Sequence, residues 1–256
     1  MAHVEVSAGT IEYADTGGNG PVVVFVHGLL MDSAQWRHVA ANLRDDFRCV
    51  PPTLPMGAHR RPMRPDADLS LRGLGRILTE FMDRLDLTNV TLCFNDWCAA
   101  QVMIADRGVE RVERLVLASC EAFENYPPGL PGRLAAIAAK VPGALAVMRR
   151  TLVWHWIREM PMFFGHMTKN GIPNDVMRAW MKPLTERAIR RDYCKYAGDT
   201  RRGKLSSPRR LRFRPSIGGC LLCGQATTGL CPPHMARGWQ QRSRTAGSSK
   251  SRTARH

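Results

Sequence analysis

The triplet Asn95-Asp96-Trp97 stands between an apolar run at residues 90–94 and a second apolar stretch formed by Ala99, Ala100, Val102, Met103, Ile104 and Ala105. The first run has the length and composition of a strand. The second reads as a buried helix. A strand, a sharp turn and a helix lift one side chain above the end of a sheet, and here that side chain is Asp96. A carboxylate held there can attack carbon and form an ester intermediate. It can equally cap the helix N-terminus, where negative charge is favourable. These residues by themselves leave both readings open.

The elements that would have to position Asp96 can be read around it. Residues 3–15 alternate weakly and end at Gly17-Gly18, as a hairpin strand would. Residues 21–26 form a continuous β-branched run typical of a buried parallel strand, followed directly by His27-Gly28. Residues 33–43 read as a helix with Trp36, Val39, Ala40 and Leu43 on one face. A short strand at 47–51 leads into a Pro- and Arg-rich loop at 52–65. Leu71, Leu74, Ile77, Leu78, Phe81 and Leu85 mark an amphipathic helix, and residues 112–119 a further buried strand. Strands alternating with helices predict an α/β fold with a mostly parallel sheet. From Glu121 the pattern changes. Residues 134–148, 152–160 and 175–188 read as helices, in a region rich in tryptophan, phenylalanine and methionine. Such a region is a helical core, an apolar lid over a pocket, or both.

Charge divides the chain. Its 37 Lys and Arg against 22 Asp and Glu give a net charge of +15. Residues 200–256 hold 13 of the basic residues and no acidic one, so the remainder is nearly neutral. No N-terminal signal pattern and no apolar run near 18 residues is present, which argues against secretion and membrane spanning. The eight cysteines are scattered, several inside apolar runs, which fits reduced thiols and a cytoplasmic location.

In order along the chain, His27-Gly28 after a buried strand, Trp36 in the next helix, the loop L-P-M-G-A-H-R-R-P-M, Asn95-Asp96-Trp97 on the turn and a helical insert after residue 119 resemble the α/β-hydrolase fold with an Asp nucleophile. The haloalkane dehalogenase and epoxide hydrolase branch is the most similar, over roughly residues 3–200. The resemblance implies a core at 1–120, a helical cap at 121–199 and a hydrolase acting on a small apolar molecule. It implies Asp96 as nucleophile, and the backbone N–H groups of Leu29 and Trp97, beside His27 and Gly28, as the oxyanion or leaving-group site. It implies Glu121 as triad acid and Trp154, Tyr126, Tyr193 and Tyr196 as pocket residues. No metal and no organic cofactor is implied. The sequence departs from the family at Phe94 and Cys98, where small residues usually flank the nucleophile. It departs again at Leu29-Leu30, where polar or Pro-containing pairs are usual.

The family would continue with two more strands, the second leading to a catalytic histidine. Nothing after Lys204 reads that way, so these strands are expected to be missing or replaced, leaving the edge at 112–119 unpaired. Cys220, Cys223, Cys231 and His234 have zinc-like spacing beside a basic segment that could contact nucleic acid. A displaced reading frame explains the tail better. Shifted by one base and given GC-rich codons, residues 221–251 permit A-V-W-A-S-D-D-R, an apolar strand and an Asp-containing turn. On that reading the tail is disordered or out of frame, binds neither zinc nor nucleic acid, and the chain traps its substrate for want of a base. A non-enzymatic binding protein and a zinc or nucleic-acid module are the rival readings.

Overall fold

The computed structural model describes residues 1–96, 103, 110–118, 129–160, 163–165, 171–198 and 219–223. Strands β1 (Ala2–Val6) and β2 (Gly9–Tyr13) pair antiparallel around a turn at Ser7-Ala8. The stretch expected to be a single hairpin strand is therefore a complete hairpin. Strand β3 (Val22–Val26) pairs in parallel with β4 (Arg48–Val50), while the two-residue β5 (Pro52–Thr53) adds to β2. Strand β6 (Val90–Asn95) lies on the other side of β3, followed by β7 (Val112–Ala118) and β8 (Gly219–Cys223). The main sheet thus has the order β4-β3-β6-β7-β8, parallel throughout.

The sheet is covered on both faces, as a parallel sheet must be. From β3, Val23 and Phe25 pack on Trp36, Ala40, Cys49 and Cys93. Val24 and Val26 join the larger cluster with Ile77, Phe81, Leu92 and Phe94. The first face is covered by a 3-10 turn, Ser33–Trp36, running into α1 (Arg37–Leu43). The tighter opening turn shifts the phase of the helix, so Val39, expected on the buried face, is exposed while Trp36 and Ala40 are buried. The larger cluster is covered by α2 (Leu71–Arg84), whose Ser70 side chain accepts the Gly73 N–H as an N-cap.

Between β7 and β8 come α3 (Gly129–Lys140), α4 (Ala144–Leu152), α5 (His155–Arg158), α6 (Asn174–Met181), a 3-10 turn at Pro183–Thr185 and α7 (Arg187–Ala197). The single helix expected over 134–148 is broken at Pro142-Gly143, where Gly143 takes φ 81°. The helix expected over 175–188 is broken at Pro183, which cannot continue an α-helical ladder. Strand β8 corrects a further expectation. It runs beside β7 with Arg114 opposite Gly219 and Ala118 opposite Cys223, so that edge of β7 is paired. Cys220 and Cys223 consequently lie in extended backbone, not in the tight turn of a zinc knuckle. No group of three or more His, Cys, Asp or Glu among the described residues is arranged to hold a metal. None of the described helices is long and apolar enough to cross a membrane.

Candidate active site

Strand order reverses at β3: the chain first adds β4 on one side, then β6 on the other. In parallel sheets such a reversal opens a crevice beyond the carboxyl ends of the two diverging strands. His27-Gly28-Leu29 leaves β3 into this crevice directly after Val26, and Asp96 leaves β6 into it two residues past Phe94, the partner of Val26.

The two segments touch. The Leu29 N–H donates to Asp96 Oδ2 at 3.0 Å. A Cβ on Gly28 would lie 2.9 Å from both Cβ and Oδ2 of Asp96, so only glycine permits this approach. Asp96 has φ 62° and Leu30 also has φ 62°, a left-handed conformation that non-glycine residues seldom adopt. Strain of this kind persists where the surroundings over-determine it, and it collects at functional sites. Phe94, bulky for a position two before the turn, is accommodated by full burial in the larger core cluster.

His27 holds the Leu29 peptide in place. Its Nδ1 lies 2.8 Å from the Gly28 carbonyl, the other end of the peptide unit whose N–H reaches Asp96. Its Nε2 accepts the Leu54 N–H at 2.8 Å. An imidazole that accepts at Nε2 must carry its proton on Nδ1, so the ring donates to Gly28 as the neutral tautomer. Burial drives its pKa down to about 4, against the opposing effects of the Gly28 carbonyl and Asp32.

A chain of amides reinforces the same contact. The Gly28 N–H donates to Gln35 Oε1 at 2.8 Å, Gln35 Nε2 donates to Asn95 Oδ1 at 2.6 Å, and Asn95 Nδ2 donates to the Ala118 carbonyl at 2.9 Å. Two further ties hold the helical layer over the loops. Asp32 is buried and accepts the indole N–H of Trp180 on α6 at 2.8 Å and the Arg60 guanidinium at 2.6 Å. His59, from the Pro- and Arg-rich loop, lies 3.3 Å from Asp192 on α7, both buried. Burial would raise the Asp192 carboxyl, but hydrogen bonds from His59, the Met63 N–H and Arg191 hold it below the ordinary value. Gln35, Asn95, Asp32, Trp180 and the His59–Asp192 pair were not singled out from sequence as site residues. Only the polar Asn95 beside Asp96 offered a signal.

The remaining expected site residues fall differently. Trp97, Glu121 and Tyr126 lie outside the described residues. Tyr193 is buried and its hydroxyl donates to the Ala135 carbonyl within the helical layer. Its ring reaches the loop instead: a Cβ on Gly57, which has φ +114°, would lie 2.9 Å from both Tyr193 and Leu30. Tyr196 is fully buried. Trp154, expected in the pocket, is 56% exposed and stacks on Trp156 with ring centroids 6.2 Å apart. The groove it lines is formed by Val153, His155, Trp156, Asn174 and Arg178, all from the helical layer and none from the crevice beside Asp96.

Comparison with known proteins agrees with this fold. The model of the alpha/beta hydrolase family matches residues 23–250. A haloalkane dehalogenase of Mesorhizobium japonicum is 29% identical over 147 residues, covering 56% of this chain and 47% of the relative. A cis-3-alkyl-4-alkyloxetan-2-one decarboxylase of Xanthomonas campestris pv. campestris is 30% identical over 190 residues, covering 68% of this chain and 59% of the relative. The chain thus spans about half the length of these curated relatives. Among solved structures, a loop variant of a haloalkane dehalogenase from Bradyrhizobium elkanii superposes with a TM-score of 0.62 at 17% identity, covering 98% of each chain.

Proposed function

The chain belongs to the alpha/beta hydrolase family, and from that premise we propose that it is a hydrolase of small apolar electrophiles, of the haloalkane or epoxide class, with Asp96 as its nucleophile. The observation that carries this reading is the strained Asp96 at the end of β6 with one carboxylate oxygen on the Leu29 N–H.

That hydrogen bond divides the labour of the carboxylate. Oδ2 lies on the Leu29 N–H, and the attack is assigned to the other oxygen, Oδ1. A carboxylate is already ionised near neutral pH, so the attack needs no base. With a haloalkane, Oδ1 forms a bond to carbon, the carbon–halogen bond breaks, and the halide leaves with its electron pair. The Trp97 side chain is proposed to receive it. Oδ2 then becomes the carbonyl oxygen of the ester, already on its donor. When water adds to the Asp96 carbonyl carbon, negative charge builds on Oδ2, where the N–H groups of Leu29 and Trp97 stabilise it. With an epoxide, a ring carbon–oxygen bond breaks instead, and a tyrosine hydroxyl would supply the proton, Tyr126 being the proposed donor. Glu121 is proposed as the triad acid. The relative acting on an oxetanone widens the class to strained cyclic esters, since that match spans the larger share of this chain.

Water needs a base to deprotonate it. Among the described residues the two buried histidines, His27 and His59, have both ring nitrogens engaged. On this reading attack outruns hydrolysis, and the ester accumulates. The free thiols at Cys49 and Cys194 support the cytoplasmic location proposed. The test is halide release from a reactive bromoalkane in a single incubation, measured by ion chromatography. About one halide per chain is expected from the wild type and none from Asp96→Ala. Release from Asp96→Ala equal to wild type refutes the assignment.

A further inference from the structure

Leu29 and Asp96 follow the ends of different strands, β3 and β6, and their own hydrogen bond is not the only tie between those ends. Three side-chain hydrogen bonds reinforce it. They run from the Gly28 N–H through Gln35 and Asn95 to the Ala118 carbonyl, joining the ends of β3, β6 and β7. We infer that Gln35 and Asn95 are positioning residues for Asp96, acting as a one-way amide chain that sets the Leu29 peptide against the carboxylate. This inference rests on the assignment of Asp96 as nucleophile.

The chain has a direction that neither amide can choose. At one end a backbone N–H can only donate, which turns Gln35 Oε1 towards Gly28. At the other end a backbone carbonyl can only accept, which turns Asn95 Nδ2 towards Ala118. The middle bond, Gln35 Nε2 to Asn95 Oδ1 at 2.6 Å, then has the one polarity left. Flipping either amide would set two donors or two acceptors face to face. Two members of the chain are also immediate neighbours of the reacting groups. Gly28 precedes Leu29, and Asn95 precedes the strained Asp96. Gln35 itself stands on the 3-10 turn that Asp32 caps through the Ala34 N–H at 2.9 Å. That capping carboxylate is also the acceptor of Trp180, so the amide chain is anchored to the helical layer.

Directionality makes an ordinarily mild substitution severe. Gln35→Glu keeps an acceptor for Gly28 but turns a second acceptor towards Asn95 Oδ1. Gln35→Leu removes both bonds at similar volume. The experiment follows covalent labelling of the full chain by a reactive bromoalkane, using intact mass, over a range of reagent concentrations. This separates the maximal rate from the half-saturating concentration. For Gln35→Leu and Gln35→Glu the maximal rate should fall about tenfold or more, with the half-saturating concentration within about twofold of wild type. Asn95→Leu should match them, and the double variant Gln35→Leu/Asn95→Leu should lose little more than either. A wild-type maximal rate in Gln35→Glu overturns the inference. So does a loss confined to the fraction of folded protein, with normal kinetics in what remains. If the wild type itself is not labelled at Asp96, the nucleophile assignment has failed. Backbone hydrogen exchange then decides the amide chain separately. Exchange at Gly28 and Leu29 should speed up about tenfold or more in Gln35→Leu, and unchanged exchange overturns it.

Discussion

The indole N–H of Trp180 donates to Asp32 Oδ1 at 2.8 Å, with both residues buried, so helix α6 is fastened to the loop that follows β3. A donor to a charged, buried acceptor contributes roughly 1.5–3 kcal/mol. Trp180→Phe keeps the ring contacts and removes the donor. Its unfolding free energy, measured by urea titration, should fall by about 1–3 kcal/mol. An unchanged value would mean that the Arg60 and Ala34 bonds alone satisfy Asp32.

Gly28 stands where any side chain would meet Asp96. The 2.9 Å approach that a Cβ would make to Asp96 leaves no room for a methyl group. Overpacking of this kind costs about 1–3 kcal/mol. Gly28→Ala should lower the thermal midpoint by several degrees, at about 2–4 °C per kcal/mol for a chain of this size. Labelling of Asp96 should fall in the same variant. A normal midpoint with normal labelling would show that the loop yields freely.

His27 makes stability depend on pH in a definite direction. Its folded pKa, about 4, lies below its ordinary value of 6.5 because burial opposes the charged ring. The unfolded chain therefore binds the proton more readily. The contribution of His27 is fully present above pH 6.5 and is lost as pH falls from 6.5 towards 4. Urea titrations across this range should give a steeper loss for the wild type than for His27→Asn. Parallel curves would assign the acid sensitivity to other groups.

Strand β8 closes the edge of β7. Shortening the chain to residue 218 should leave that edge unpaired and raise light scattering at micromolar concentration. A shortened chain that stays monodisperse would show that β8 does not protect the edge.

What could be read from the sequence was local. The β-branched run that became β3, the Leu and Phe spacing of α2 and the strand before Asp96 each carry their signal within a few residues. The crevice at Asp96 followed from their order. The bonds that hold the crevice together did not. Gln35 meets Asn95 across 60 positions, His59 meets Asp192 across 133, and Trp180 meets Asp32 across 148. No periodicity records such pairs. The first hairpin was hidden because its turn, Ser7-Ala8, lacks the usual Asn-Gly or Asp-Gly signature. Strand β8 was hidden by its setting, five residues within an Arg-, Ser- and Gly-rich tail. Trp154 was misplaced because an aromatic residue in a cap reads the same whether it faces a pocket or solvent.

The central claim is that Asp96 attacks carbon through Oδ1 while Leu29 holds Oδ2. The most direct measurement is intact mass spectrometry of the full chain after incubation with a reactive bromoalkane, followed by peptide mapping. The account predicts one added alkyl group per chain, located on Asp96 and absent from Asp96→Ala. An unmodified chain, or an alkyl group found only on the cysteines, would contradict it.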